Sequence, residues 1–171
     1  MDYLHTTGEN LPAGLDLDWV LSIGVLHHIP DPDPVVRAAY AALRPGGKLL
    51  VWLCGWEGNE LYLAVTTPVR KVTTRLPHWA LTAASKALVP PLTAYATLCK
   101  WLPLPMASYM REHIVRLAPE VRMLTIYDQL NPAHARYYRE REVRELLSRA
   151  GFRDVKLHHR HGYSWTVVGT K

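Results

Sequence analysis

Leu17-Asp18-Trp19-Val20-Leu21-Ser22-Ile23-Gly24-Val25-Leu26, followed by His27-His28-Ile29-Pro30-Asp31-Pro32-Asp33-Pro34, is the stretch that decides the fold. The first run is too short for a typical helix and too apolar for an exposed strand. It predicts a strand buried on both faces, as in parallel sheets flanked by helices. Three prolines among the next eight residues stop it, because proline denies the backbone both ladder and helix donors. Asp31 or Asp33 is placed to cap the following helix, with Pro34 in its first turn. Val36, Ala39, Tyr40 and Leu43 then mark one apolar helical face. Gly46-Gly47 is expected to end that helix, and Leu49-Leu50-Val51-Trp52-Leu53 reads as a second buried strand. The whole is one βαβ unit, so the two strands should run parallel with a right-handed crossover.

Outward from this unit, the middle of the chain reads as helices. Asn59 is expected to cap a helix toward Thr67, ended by Pro68; Pro77 opens another to about Leu88, Leu92–Leu102 gives a third, and Ala107–Leu117 a fourth. Trp79, Tyr95, Trp101 and Tyr109 are expected to form the core of these helices, with an apolar acceptor pocket as the other reading. Leu124–Pro132 reads as a polar-tipped turn. Tyr138–Phe152 is the clearest helix: Val143, Leu146, Leu147 and Ala150 form its buried stripe, and Glu140/Arg144, Arg141/Glu145 and Glu145/Arg149 pair along it. Gly151 ends it, and Asp154–His159 and Tyr163–Thr170 follow as antiparallel strands.

The 171 residues, 49% hydrophobic, suffice for a real core. Cys54 and Cys99 match no disulfide, metal or redox spacing, and no basic-then-apolar leader opens the sequence, so a cytoplasmic location is the expectation. His158, His159 and His161 do not share one strand face, and no Cys or carboxylate cluster completes a set around them, so no metal site is expected. Charge is uneven: residues 1–60 carry eight acids and three bases, whereas 61–111 carry six bases and no acid. A segment both apolar and basic suits an anionic partner, a weak contact with an anionic membrane included; lysines and arginines that merely face water are the plainer reading. No clear nucleic-acid motif is present.

The Asp18–Pro32 wording, followed by Leu43-Arg44-Pro45-Gly46-Gly47-Lys48-Leu49, closely resembles the class I S-adenosylmethionine-dependent methyltransferases of the type 11-like group, where it forms the fourth strand, fourth helix and fifth strand. Glu142-Val143-Arg144-Glu145-Leu146-Leu147 with Ala150-Gly151-Phe152 resembles the helix before that family's last two strands. The resemblance implies an α/β fold: a partial Rossmann-like sheet made of the later strands, mostly parallel with an antiparallel last strand, plus an inserted helical lid. It divides the chain into a partial cofactor-binding region (1–56), a helical insertion or lid (57–120) and a C-terminal α/β completion of the same domain (121–171).

The implied activity is methyl transfer from S-adenosyl-L-methionine to a small-molecule or lipid-like acceptor. Ser22, Ile23, Gly24, Val25 and Leu26 would flank the methionine part of the cofactor. Gly8, Glu9 and Asn10 correspond to the adenine-side loop, where the family's acid position falls on Thr7. His27 and His28, just past the strand, are candidates to orient the acceptor or take its proton, or else to cap the turn. Tyr127, Asp128 and Tyr138 are candidates for the acceptor side. The family's G-x-G-x-G cofactor loop has no counterpart in the 171 residues. The first two strands are therefore expected to be missing and Leu17–Leu26 to carry an unpaired edge, open to a homodimer or a complementary chain. The alternative reading is a non-catalytic or truncated methyltransferase-like subunit that needs a partner chain carrying the glycine loop.

Overall fold

A computed structural model describes residues 3–171, which divide into two compact units: residues 3–60 with 134–171, and residues 61–133. The first is α/β. Its elements are β1 (Leu17–Ile23), α1 (Asp33–Ala42), β2 (Leu43–Cys54), α6 (Glu140–Arg149), β3 (Arg153–Arg160) and β4 (Ser164–Thr170). The second is helical and holds α3 (His78–Leu98), α4 (Ala107–Glu112), α5 (Pro119–Leu130) and nearly all of α2 (Glu60–Thr73). The division falls at 60/61 and 133/134, so α5 belongs with the helices and not with the C-terminal α/β part.

The four strands lie in the order β1-β2-β4-β3. β1 and β2 are parallel, as the βαβ reading requires, while β4 runs antiparallel to both of its neighbours. Alternate residues Leu49, Val51 and Leu53 of β2 and Trp165 and Val167 of β4 point into a core completed by Val36 and Ala39 of α1 and Val143, Leu146 and Leu147 of α6. Arg149 clamps the two helices by donating to both carboxylate oxygens of Asp33, at 3.1 and 3.0 Å. Its predicted partner Glu145 instead accepts from Arg141 at 2.6 Å, and Glu140 pairs with Arg144 at 2.9 Å.

Several local expectations are corrected. β1 is not buried on both faces: among the described residues it is an edge strand, whose Leu17 and Val20 pack against the core while Trp19, Leu21 and Ile23 are exposed. Gly46-Gly47 does not cap α1. The helix stops at Ala42 because Pro45 disfavours helical backbone at Arg44, and the chain turns extended from Leu43. The glycines instead form an irregularity inside β2, where pairing jumps from Leu17↔Leu43 to Trp19↔Lys48. Gly46 sits at φ +78°, and a Cβ on Gly47 would come within 2.8 Å of the Leu17 carbonyl oxygen. Of the two acids, Asp31 accepts the N–H of Asp33 at the start of α1, at 3.2 Å, whereas the Asp33 carboxylate is held by Arg149; the N-cap position is Pro32. Asn59 immediately precedes α2, and its side-chain N–H groups donate to the carbonyls of Gly55 and Tyr163, at 2.8 and 2.7 Å.

In the helical unit, α2 runs through Pro68 and α3 runs unbroken through Pro90-Pro91, where the sequence suggested breaks. The carbonyls that lose their partners belong to Ala64, Lys86 and Ala87, all exposed residues, so water can serve them. Leu124–Leu130, read as a turn, is the second half of α5, which Pro119 opens in its first turn and Asn131-Pro132 ends. Ala107–Leu117 divides into α4 and a short 3-10 turn, Ile114–Arg116. Ala96, Cys99, Met110 and Ile114 form the core here, and Arg122 ties it by donating to the carbonyls of Ile114 and Val115, each at 2.9 Å. Trp79 and Trp101 are not core residues; both are largely exposed.

Gly169 tests the packing of β4 against α6. A Cβ there would lie 2.9 Å from Leu147 Cδ2 and 3.0 Å from Phe152 Cβ. Gly169→Ala is expected to lower unfolding free energy by about 1–3 kcal/mol, read from urea denaturation. An unchanged midpoint would show that the two layers are not packed this tightly.

Candidate active site at the carboxyl ends of β1 and β2

Ser22 and Ile23 are the last residues of β1, and Gly24 turns the chain at φ +73° while donating its N–H to the Trp52 carbonyl at 3.0 Å. A side chain on Gly24 would only just touch the Trp52 ring, so the left-handed backbone, not lack of space, requires glycine. Val25 is exposed. Leu26–His28 then forms one 3-10 turn that places the two histidines side by side, ring centres 4.1 Å apart. Leu26 goes into the core with Val36 and Val51, so its side chain is not offered to a ligand.

The two imidazoles have different surroundings. His27 is only 6% exposed; its ring meets the Trp52 edge at 6.0 Å, and Nε2 lies 3.8 Å from Cys54 Sγ. Its Nδ1 is buried with no hydrogen-bond partner. Burial, and secondarily the neighbouring His28, lowers its pKa to about 4, so His27 is neutral near pH 7. His28 is exposed, and its Nδ1 lies 2.8 Å from the His134 carbonyl oxygen. A carbonyl only accepts, so in neutral His28 the proton sits on Nδ1 and Nε2 keeps its lone pair.

The partner of His28 belongs to an extended segment, residues 134–138, that crosses the strand ends. Arg136 N–H donates to the His27 carbonyl at 2.9 Å, and Tyr138 N–H to the Cys54 carbonyl at 2.9 Å. Tyr138 CO in turn accepts from Trp56 N–H at 2.9 Å and from the Trp165 indole at 3.1 Å. The strap therefore ties the β1 tip to the β2 tip. It also brings further unpartnered buried atoms to this end of the unit: Tyr138 Oη and His134 Nε2, beside His27 Nδ1. Burial pushes the Tyr138 phenol up against the pull of Arg136, whose guanidinium lies 4.7 Å from its ring centre.

Gly8–Asn10 is a 3-10 turn against the first turn of α1, where a Cβ on Gly8 would lie 3.0 Å from Val35 Cγ1. α1 begins just past the β1 tip, so this turn lies at the same end of the sheet. Glu9 is exposed, and the Asn10 amide donates to Thr7 Oγ1 at 2.9 Å. The fold thus gathers Gly8–Asn10, Ser22–Val25, His27, His28 and Tyr138 in one unit. Tyr127 and Asp128 belong to α5 of the helical unit, where the Tyr127 hydroxyl meets His78 Nδ1 at 2.8 Å. Sequence reasoning missed His134, Arg136 and Cys54. The helix stop at Asn131-Pro132 signals that a loop follows, but only the fold lays that loop across the strand ends. Among the described residues, no three His, Cys, Asp or Glu side chains gather to hold a metal ion.

A family model described as a methyltransferase domain matches residues 9–157. The ubiquinone biosynthesis O-methyltransferase of Ruegeria pomeroyi is 46% identical over 48 residues, which cover 28% of this chain and 19% of that one. The tRNA U34 carboxymethyltransferase of Hahella chejuensis is 41% identical over 59 residues, 34% of this chain and 18% of that one. The match thus spans less than a fifth of these relatives' length. Among solved structures, a SAM-dependent methyltransferase of Methanosarcina mazei superposes with a TM-score of 0.50 at 15% identity, covering 97% of this chain and 65% of that one. A possible exported protein of Bordetella parapertussis superposes at 0.51 with 19% identity, covering 98% and 43% respectively. With the family model covering most of the sequence and a parallel β1/β2 pair joined through α1, the chain belongs to the class I S-adenosylmethionine-dependent methyltransferases.

Proposed function

We propose that this chain takes part in methyl transfer from S-adenosyl-L-methionine, with the cofactor against the carboxyl ends of β1 and β2 and His28 as the base that receives the acceptor's proton. The observation that carries the reading is the His28–His134 hydrogen bond of 2.8 Å, which fixes the tautomer and leaves Nε2 as an exposed acceptor. When bound, S-adenosylmethionine supplies an electrophilic methyl group on a sulfonium. The residues present fit one side of such a ligand. Ile23 and Val25 are exposed apolar side chains beside the Gly24 turn, and Gly8–Asn10 lies at the same end of the sheet.

The roles divide between the neighbours. His27, buried and neutral, supports the turn and packs against Trp52, while His28 meets solvent and the acceptor. Strand tips and the 134–138 strap hold His28 in place, so an acceptor hydroxyl seated at Nε2 is held for in-line attack. An acceptor with an ionisable hydroxyl suits an imidazole base.

A second reading rests on two observations. The outer edge of β1 pairs with no strand among the described residues, and no G-x-G-x-G occurs in the sequence. On that reading the chain binds the cofactor only together with a polypeptide that brings the glycine loop. Isothermal titration of the purified chain with S-adenosylmethionine separates the two: binding supports the first reading, and none supports the second.

For a preparation that turns over, His28→Ala is expected to lower kcat by roughly a hundredfold or more in a tritiated-methyl assay, with cofactor affinity retained. Equal turnover would remove His28 from the chemistry. His27 generates a separate, pH-dependent expectation. Its folded pKa, about 4, lies below the unfolded value of 6.5, so the unfolded chain binds the extra proton between these values. Stability should therefore fall as pH drops from 6.5 toward 4, by about 3 kcal/mol in all from this group. In urea titrations across that range, His27→Gln should lose this part of the slope. A variant slope equal to that of the parent would show that His27 is not held neutral.

A further inference from the structure

The helical unit carries an apolar stripe that its own core does not use. Leu61, Val65, Val69 and Val72 recur along α2 with exposures of 64, 58, 39 and 63%, and Leu76 in the turn beyond is 39% exposed. At about 100° per residue the four helical positions fall within an arc of about 80°. The rest of the helix is occupied. Leu63, on the far side, is buried. Tyr62, Arg70 and Thr73 face α5: the Tyr62 hydroxyl donates to the Gln129 side chain, Arg70 donates to the Gln129 carbonyl at 2.8 Å, and Thr73 to the Leu130 carbonyl at 2.6 Å. Small satisfied contacts thus hold one side of α2, and the stripe is left to solvent.

Charge says what suits it. Lys71 lies about 80° beyond Leu61 on the same helix. Lys71 and Arg75 are both exposed, and the sequence from 61 to 111 holds six bases and not one acid. Trp79, which follows two residues after the turn proline Pro77, is 74% exposed. Apolar side chains bordered by basic ones, on a helix with no acid past its first residue, match an interface where acyl chains meet anionic headgroups. A protein groove that took this stripe would need an acidic rim. No helix among the described residues is long and apolar enough to cross a membrane, so the contact is one of lying on the surface.

We propose that α2 docks this chain on an anionic lipid surface, with Leu61, Val65, Val69 and Val72 inserted among the acyl chains and Lys71 and Arg75 at the headgroups. This stands apart from the methyl-transfer reading and uses none of its residues. The test is co-sedimentation of the full chain with vesicles of equal parts phosphatidylglycerol and phosphatidylcholine, against vesicles of phosphatidylcholine alone. The chain should pellet with the anionic vesicles, less so as salt is raised, and stay in solution with the neutral ones. Val65→Asp with Val72→Asp should abolish pelleting. Lys71→Gln with Arg75→Gln should weaken it roughly thirtyfold, since each basic residue near such a surface contributes about a factor of five. All four side chains are exposed, so circular dichroism melts should match the parent; the charge pair remains informative if the aspartate pair does not fold. No pelleting by the parent, or equal pelleting by both variants, overturns the proposal. So does light scattering that finds a dimer abolished by the aspartate pair, which would assign the stripe to a second copy.

Discussion

Strand β2 must find backbone partners on both of its edges, and everything in the α/β unit follows from how it does so. β1 satisfies one edge in parallel, β4 the other in antiparallel, and the residues between the partners, Leu49, Val51 and Leu53, become the floor of the core. Once β2 is fixed between them, the ends of β1 and β2 come level, because Ile23 pairs with Trp52. The carbonyl of Cys54, the last residue of β2, and that of His27, beyond the β1 end, then need donors of their own. The strap meets that need through the N–H groups of Arg136 and Tyr138. Satisfying leftover backbone groups is thus what carries His134 to His28.

The same arrangement explains why adjacent histidines end up with unlike properties. A 3-10 turn puts successive side chains about 120° apart, so a pair placed at a sheet edge has one ring turned inward and one outward. The inward ring loses water and with it the ability to hold a proton near neutral pH. The outward ring is exposed, with the His134 carbonyl against its Nδ1.

How much of this was legible follows from the range of the interactions involved. The βαβ unit, α6 with its Val143/Leu146/Leu147 stripe, and the last two strands were readable because each is written in local periodicity. The glycine pair misled because a Gly-Gly after a helix serves equally as a helix stop or as a strand bulge; the neighbouring Leu17 carbonyl decides, and it lies far away in sequence. Pro68 and Pro90-Pro91 misled because a helix tolerates proline when the orphaned carbonyl faces water, and sequence does not show which way a helix is turned. Asp33 stands at a helix start, where a carboxylate commonly caps, yet its partner is Arg149, more than a hundred positions later. At the site, the two histidines and the Ser22–Val25 turn were readable. The strap and the burial of Leu26 and His27 were not, since both depend on which face of a helix or sheet comes to lie against them.

The position of β4 has a consequence for how the molecule is made. Strand β4 follows β1, β2 and β3 in the sequence, yet it occupies the middle of the sheet, between β2 and β3. While a ribosome is still adding it, β2 has a bare edge and α6 has no floor to rest on. The α/β core therefore cannot close strand by strand in the order of the sequence, and must wait for β4; until then the nascent chain depends on whatever keeps exposed strand edges apart in the cell.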